Sequence, residues 1–580
     1  MAEILIERSC QRFRQEISPE DDGSIRASSI DDVRQAIRHI ERQLAARQCL
    51  RNLDRLNPYL DGIERYSKAI DVLANAVPFL PYVWAPLKLI LTVTQDSTHT
   101  LDKILSAYAQ IGAALPRLSM LGGAFPDNAD FQQLFAFLYE DIIEFHSRAY
   151  KLIRKPAWNL FFSSAWSRFE HRFNSLVESI KATSQLIDQH ATAINILQAK
   201  EWRQKSMDES VVREKRWESE QLQAVLNWLN AVENEQDIKH EWLKEQCFPG
   251  TAQWIVQNSK FRSWMQRGRG NSVMWLFGKP GSGKSVLAST IISFMQSNPK
   301  QRALYFFCDY HTPAYGISAY IFRVFCSQIL RFSPELAPFF YDEYSSKGLS
   351  PSAMVLKEAL SKTMKSIEFV RLVVDGIDEL PSSEHRKLIS ELIDLATSSG
   401  DTCKLLISSQ DLPSIRPSLS RRSTLFLGDE TEPIRKDIGY IVEKALVELD
   451  DALGGELGGD LLENIRANIM SKAEGMFLWV RLVLSLLESC ASPWELKSTI
   501  DSLPKDLEEA YAKILNNIRG RCSPTNLGRL QRVFEWLLFS KEKTHVRKYS
   551  YSILQVVHSH QASPAIKALH TLASRTSYRL

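Results

Sequence analysis

Two groups of residues in this chain have the types and spacing needed for phosphate and metal chemistry. The first is Gly278-Lys279-Pro280-Gly281-Ser282-Gly283-Lys284-Ser285, which matches G-x-x-x-x-G-K-[ST]. Glycines at that spacing let a backbone turn until its N–H groups point inward at phosphate oxygens, and a helix that follows adds its positive end. Lys284 is placed to reach the outer phosphates, and the Ser285 hydroxyl to ligate Mg²⁺. Gly278, Gly281, Ser282, Gly283 and Val286 complete the expected cradle. The second group is Arg371-Leu372-Val373-Val374-Asp375-Gly376-Ile377-Asp378-Glu379, about 90 residues later. An acid at the tip of a buried strand, Asp375, can hold Mg²⁺, usually through water. Gly376 leaves space beside the metal, and Asp378 and Glu379 stand where a water nucleophile would be oriented or deprotonated. The expected ligands are therefore a nucleoside triphosphate or diphosphate and Mg²⁺.

A third element is Lys404-Leu405-Leu406-Ile407-Ser408-Ser409-Gln410-Asp411. Where an extra strand separates the phosphate-loop strand from the acid-bearing strand, that strand ends beside the loop. A polar residue at its tip then faces the γ-phosphate, a position that Ser409 and Gln410 fit. A strand running into an ordinary polar turn is the competing reading of the same residues.

These residues need a scaffold, and the chain predicts one. Apolar runs at Val273–Phe277, Ala303–Cys308, Val370–Val374 and Lys404–Ser408 read as strands that alternate with helices, the pattern of a parallel sheet covered on both faces. Residues 1–195 read as helical throughout. Leu101, Ile104, Leu105, Tyr108, Ile111 and Leu115 recur at helical spacing, as do Phe131, Leu134, Phe135, Leu138, Ile142 and Phe145. Asn75–Pro86 and Leu121–Asn128 read as breaks. Residues 196–245 are charge-rich with few breakers, which suggests a connecting helix, and Phe248-Pro249-Gly250-Thr251 ends it. After residue 430 helices return, with Leu507, Ala510, Tyr511, Ile514, Leu515 and Ile518 on one face. The expected fold is multidomain α and α/β. A helical bundle (1–195) and a charged linker (196–245) precede an α/β nucleotide domain on a parallel sheet (246–430). A helical, partly winged-helix-like region (431–540) and a divergent tail (541–580) follow.

Composition narrows the class. The chain has 580 residues, 44% hydrophobic and 24% charged, which is an ordinary globular balance with ample core. A net charge of +3 is too small to argue for nucleic acid or an acidic membrane as partner. The eight cysteines are scattered, with no C-x-x-C pair, and read as reduced thiols of a cytoplasmic protein. The N-terminus lacks the basic start and long apolar core of a signal peptide. The most apolar stretch, Val72 to Val93, carries three prolines and Lys88, so buried helix pieces rank above membrane contact.

At the two motifs the chain resembles the NACHT branch of STAND P-loop NTPases, specifically the NLR-like proteins of filamentous fungi. The resemblance rests on Gly278–Ser285 followed by Val286-Leu287-Ala288-Ser289, and on Asp375-Gly376-Ile377-Asp378-Glu379. It extends to Gly475-Met476-Phe477-Leu478-Trp479-Val480 and Leu503-Pro504-Lys505-Asp506-Leu507-Glu508-Glu509-Ala510-Tyr511 downstream. Upstream it includes Gly250-Thr251-Ala252-Gln253-Trp254 and Phe261-Arg262-Ser263-Trp264. The region around Val83–Lys88 is similar to an uncharacterised helical domain found N-terminal to NACHT. The resemblance implies a slow ATP- or GTP-dependent switch, closed with ADP, opened by exchange, and self-associating through its N-terminal domains. It also implies a role in non-self recognition or programmed cell death. ATP over GTP is implied by the resemblance alone.

Two departures stand out. Relatives often carry Arg where this chain has Gln410, which offers no charge to a γ-phosphate. Lys543–Leu580 no longer follows the family pattern, which suggests a truncated product or a mispredicted exon. A conventional turnover ATPase and a non-catalytic helical adaptor, binding a protein partner through residues 50–195, are the competing functions. For the former, Arg416, Arg421 and Arg422 are candidate arginine fingers.

Overall fold

The computed structural model describes residues 2–18, 21, 30–46, 81–94, 98–115, 129–154, 158–188, 193–230 and 234–522, apart from a few one- or two-residue gaps in the last span, together with short pieces at 56–57, 59–61, 63–64, 526–529 and 532. The 541–580 tail, the 121–128 break and residues 75–80 of the other expected break lie outside the described residues. The chain divides into two compact units, one of residues 1–229 with 330–350, the other of residues 230–329 with 351–580.

The first unit is helical. It contains α1 (Ala2–Glu16), α2 (Ile30–Ala46), α3 (Pro81–Thr94), α4 (Thr98–Ala114), α5 (Ala129–Ile153), α6 (Trp158–Asp188) and α7 (Ala193–Leu229). The helical spacing seen in the sequence becomes its core, with Leu101, Ile104, Leu105, Tyr108, Leu134, Leu138, Ile142 and Phe145 all buried. Tyr108 sits edge-on to Tyr59 at 4.8 Å and to Phe145 at 5.0 Å. One expectation needs correction. The sequence places a break as far as Pro86, whereas α3 starts at Pro81 and runs through Pro86. A proline in a helix interior withholds the N–H that the carbonyl four residues earlier would accept. That carbonyl belongs to Tyr82, and it acts instead on His146 of α5, whose pKa it raises. Burial dominates and lowers the His146 pKa to about 3.

The segment Leu330–Ser350 folds into this first unit. Leu336, Ala337, Phe339, Phe340 and Tyr344 are buried, Trp228 stacks on Tyr344 at 6.3 Å, and the Trp228 indole N–H donates to the Leu349 carbonyl at 2.6 Å.

The second unit is built on one five-stranded sheet: β1 (Val273–Phe277), β2 (Arg302–Phe307), β3 (Val370–Asp375), β4 (Cys403–Ser409) and β5 (Ser423–Phe426). All pairings are parallel, in the order β2-β3-β4-β1-β5. The four strands read from the sequence are present, each within one residue of its expected ends. The fifth was missed because Ser423-Thr424-Leu425-Phe426 is short, half polar and at the sheet edge. β3 and β4 are buried along their whole length, as strands covered on both faces must be. Helices α8 (Glu235–Gln246), α9 (Ser259–Met265), α10 (Lys284–Gln296), α11 (Ile317–Phe332), α12 (Ala353–Lys365) and α13 (Ser382–Ser398) accompany the sheet. The helices α14 (Thr431–Ala452), α15 (Gly459–Lys472), α16 (Phe477–Glu488), α17 (Pro493–Asp501) and α18 (Leu507–Arg521) follow. Arg371 is buried at the start of β3, where its guanidinium lies 3.6 Å from the Phe369 ring centre and donates to the carbonyls of Met265, Val370 and Thr402. Carbonyl acceptors let a buried cation avoid the penalty of an unpaired charge.

Candidate functional site

In a parallel sheet every strand points the same way, so the residues just past the C-terminal ends gather along one edge. The register puts Phe277 opposite Ser409, and Ser408 opposite Asp375. The loop after β1, the acid turn after β3 and Gln410 after β4 therefore emerge side by side. The extra strand expected between the loop strand and the acid strand is β4.

The loop itself is shaped by two glycines in the left-handed region, Gly281 at φ +73° and Gly283 at φ +85°. A residue with a Cβ rarely adopts that conformation. The second of them is the last residue before α10, so the chain turns from loop to helix in one step. Ser282 is buried and donates its hydroxyl to the Lys279 carbonyl at 2.8 Å, closing the turn from within. Lys284, the first residue of α10, donates its ammonium to the Gly278 and Lys279 carbonyls at 3.0 Å each, so its charge lies at the mouth of the loop. Val286 lies in the first turn of α10, where backbone N–H groups have no helical partner.

β3 ends at Asp375, only 3% exposed. Gly376 turns the chain at φ +77° and donates its N–H to the Ser408 carbonyl at 3.0 Å. Asp378 and Glu379 follow in a single helical turn, Ile377–Glu379. Burial pushes the Asp375 carboxyl up, and the hydroxyls of Ser285 and Ser408 pull it back down. Desolvation of its carboxyl likewise pushes Glu379 up to about 7, although the residue itself stays exposed at the turn. Lys239 lowers it, while Asp375, Asp378 and Asp309 add to the rise.

Three buried oxygens at this tip, Asp375 Oδ1, Asp378 Oδ1 and Ser408 Oγ, have no protein hydrogen-bond partner. A buried carboxylate oxygen left unpaired costs free energy unless a ligand completes it. That donor set fits Mg²⁺ with its water shell. Among the described residues no group of three or more His, Cys, Asp or Glu side chains is arranged to cage an ion alone. Mg²⁺ does not require one, since it keeps several waters and takes one or two protein oxygens plus phosphate. Ser285 and Asp375 are the residues that would hold it, and the ion would supply charge neutralisation beside the phosphates.

The predicted site residues Gly278, Gly281, Ser282, Gly283, Lys284, Ser285, Val286, Asp375, Asp378, Glu379 and Gln410 all lie at this sheet edge. Ser409, the alternative to Gln410, turns inward. It is buried, accepts the Trp275 indole N–H at 2.9 Å and donates to the Gln410 carbonyl at 2.9 Å. Arg416 is paired with Asp411, its Nε donating at 2.8 Å.

Three contributors were missed. Ser408 was passed over because the choice among Ser408, Ser409 and Gln410 depends on register with β3, which one strand cannot reveal. Lys239 looked like one charge among many on a polar helix. The third is the start of α16. The Leu478 N–H donates to the Gly281 carbonyl at 3.1 Å, and a Cβ placed on Gly281 would lie 2.7 Å from the Leu478 Cβ. Glu474, just before α16, also pairs with Lys279 of the loop at 3.3 Å.

A five-stranded parallel sheet with a phosphate loop after its first strand and an acid at the tip of the third is the architecture of a P-loop NTPase domain. Residues 250–410 match the family model described as Nephrocystin 3, N-terminal, and residues 54–199 match a domain of unknown function, DUF7708. The chain is also similar to the vegetative incompatibility protein HET-E-1 of Podospora anserina, 24% identical over 277 residues. That alignment takes in 46% of this chain and spans about a fifth of the relative, 20% of its length. These matches make the chain similar to the fungal NLR-like proteins of the NACHT type, with an N-terminal region similar to a domain of unknown function. No helix among the described residues is long and apolar enough to cross a membrane.

Proposed function

We propose that this chain is a nucleotide-dependent signalling switch that binds ATP or ADP, with GTP or GDP the alternative pair, together with Mg²⁺. Lys284 and the loop N–H groups bind the phosphates, Ser285 and Asp375 hold the metal, and Asp378 or Glu379 positions water for slow hydrolysis. The observation that carries this reading is the unpaired, buried Asp375 Oδ1 at the strand tip, one strand away from a loop whose two left-handed glycines let it turn its N–H groups toward a phosphate. The reading extends to self-association in the triphosphate state, to an output partner bound by the N-terminal helical unit, and to a cytoplasmic role in fungal non-self recognition or cell death. The similarity to a vegetative incompatibility protein supports that last step.

The test is to denature the freshly purified protein and quantify the nucleotide released. Near-stoichiometric ADP is the expected result. An empty site that turns over ATP at about 1 s⁻¹ or faster would replace the switch with a conventional ATPase.

A further inference from the structure

Helix α8 lies along the outer strand of the sheet. β2 has a neighbour on one side only, so its other edge presents unpaired backbone groups. Side chains of α8 meet them. The Gln236 side-chain oxygen accepts from the Phe307 N–H at 2.7 Å, and Asp237 accepts from the Tyr305 hydroxyl at 2.6 Å. On its other side α8 reaches α10, the helix that follows the phosphate loop, through His240 Nδ1 and the Ser289 hydroxyl at 2.9 Å.

Lys239 does something different. Its ammonium donates to the Cys308 carbonyl at 3.1 Å and to Asp309 Oδ2 at 3.3 Å, with its side chain only 16% exposed. The Cys308 carbonyl is also the atom nearest the open face of Gly376, 3.2 Å from where a Cβ would stand, and Glu379 lies on that same face at 3.6 Å. The ammonium thus enters the acid cluster from behind. Its charge is felt by both Glu379 and Asp375, lowering each.

We propose that Lys239 is a built-in counter-cation of the nucleotide–metal site, offsetting the charge of Asp309, Asp375, Asp378 and Glu379 and so setting how much Mg²⁺ nucleotide binding requires. The inference rests on the nucleotide reading given above. Lys239 is a positioning residue, since its ammonium is bonded to protein carbonyls and Asp309 and would act on the site through its charge. A fixed positive charge several ångströms from a divalent ion repels it with an energy that falls with distance and local dielectric. Removing that charge strengthens the pull of the acids on Mg²⁺. Removing Asp309, the acid that Lys239 pairs with, weakens it.

The experiment titrates Mg²⁺ into the full chain with N-methylanthraniloyl-ADP at fixed concentration and reads the Mg²⁺ midpoint for binding. Lys239→Met lowers the midpoint by about threefold or more, Lys239→Arg leaves it within about twofold, and Asp309→Asn raises it. A merely structural role for Lys239 would lower the melting temperature of both Lys239→Met and Asp309→Asn while leaving the two midpoints at the wild-type value, and that result overturns the proposal. If Lys239→Met does not fold, an Asp309→Asn midpoint that stays put or falls overturns it alone. A wild-type protein that binds no ADP at any Mg²⁺ concentration removes the nucleotide reading itself, a failure distinct from unchanged midpoints.

Discussion

Gly281→Ala tests whether α16 is seated on the phosphate loop. Two costs add at this position. The left-handed backbone, φ +73°, costs an alanine about 1–2 kcal/mol. The new Cβ would also stand 2.7 Å from the Leu478 Cβ, a distance real contacts do not reach, so something must move. Overpacking of that kind costs about 1–3 kcal/mol. α16 cannot yield cheaply, because Trp479, Val480, Leu482, Val483, Leu484, Leu486 and Leu487 are all buried along it. Gly400 supplies the control, with φ +85° but nothing within 4 Å of its Cβ position. Gly400→Ala therefore shows the backbone cost alone, and Gly281→Ala an additional ~1–3 kcal/mol. For a unit of this size that is roughly 1–5 °C of further melting-temperature loss by calorimetry. Equal losses from the two substitutions would refute the seating of α16 on the loop.

The two serines of β4 separate cleanly. Ser409→Ala leaves the buried Trp275 indole N–H without its acceptor and costs about 1–3 kcal/mol in denaturant melts. Ser408→Ala removes a hydroxyl that faces Asp375 and lowers its carboxyl pKa, so the Mg²⁺ midpoint for ADP binding rises. Glu379 has a raised folded pKa. Folding therefore favours its protonated form, and its stabilising contribution is present below pH 4.5 and is lost as pH rises to about 7. In metal-free protein, the wild type loses stability relative to Glu379→Gln across that window, and parallel curves would refute the shift. His146 runs the other way. Its folded pKa is lowered from 6.5 to about 3, so the first unit loses stability as pH falls below 6.5. His146→Gln flattens that slope in pH-dependent melts.

What the sequence made legible was local. A phosphate loop is a run of neighbouring residues whose glycine spacing fixes the backbone, so Gly278–Ser285 could be read without any partner strand. The four buried strands were legible because a strand covered on both faces is a continuous apolar run. Contacts distant in the chain were not legible. Ser408 becomes a site residue only through its register with Asp375. Lys239 meets Asp309 across 70 positions, and Leu478 meets Gly281 across nearly two hundred. Pro86 shows the opposite failure. Its local rule predicted a break, and tertiary burial carried the helix through, with the freed Tyr82 carbonyl set beside His146.

These long-range contacts bear on how a nucleotide could be felt beyond its own site. Among the described residues, α16 touches the phosphate loop and α8 the helix that continues it, each through a hydrogen bond. Gly281 gives its carbonyl to the Leu478 N–H, so a loop that rotates its peptide toward a phosphate must break or bend that bond. A buried N–H left unpaired costs about 1–3 kcal/mol, enough to bias the position of α16 by a factor of five or more. On the other side His240 of α8 is bonded to Ser289 of α10, while Lys239 of the same helix is bonded to the Cys308 carbonyl and Asp309 just past β2, beside the acid turn. α8 therefore joins the loop's half of the proposed site to the half beside the acid turn. If the switch proposal holds, movement of either half is resisted or transmitted by α8, and α16 is the element whose hydrogen bond reports the loop directly.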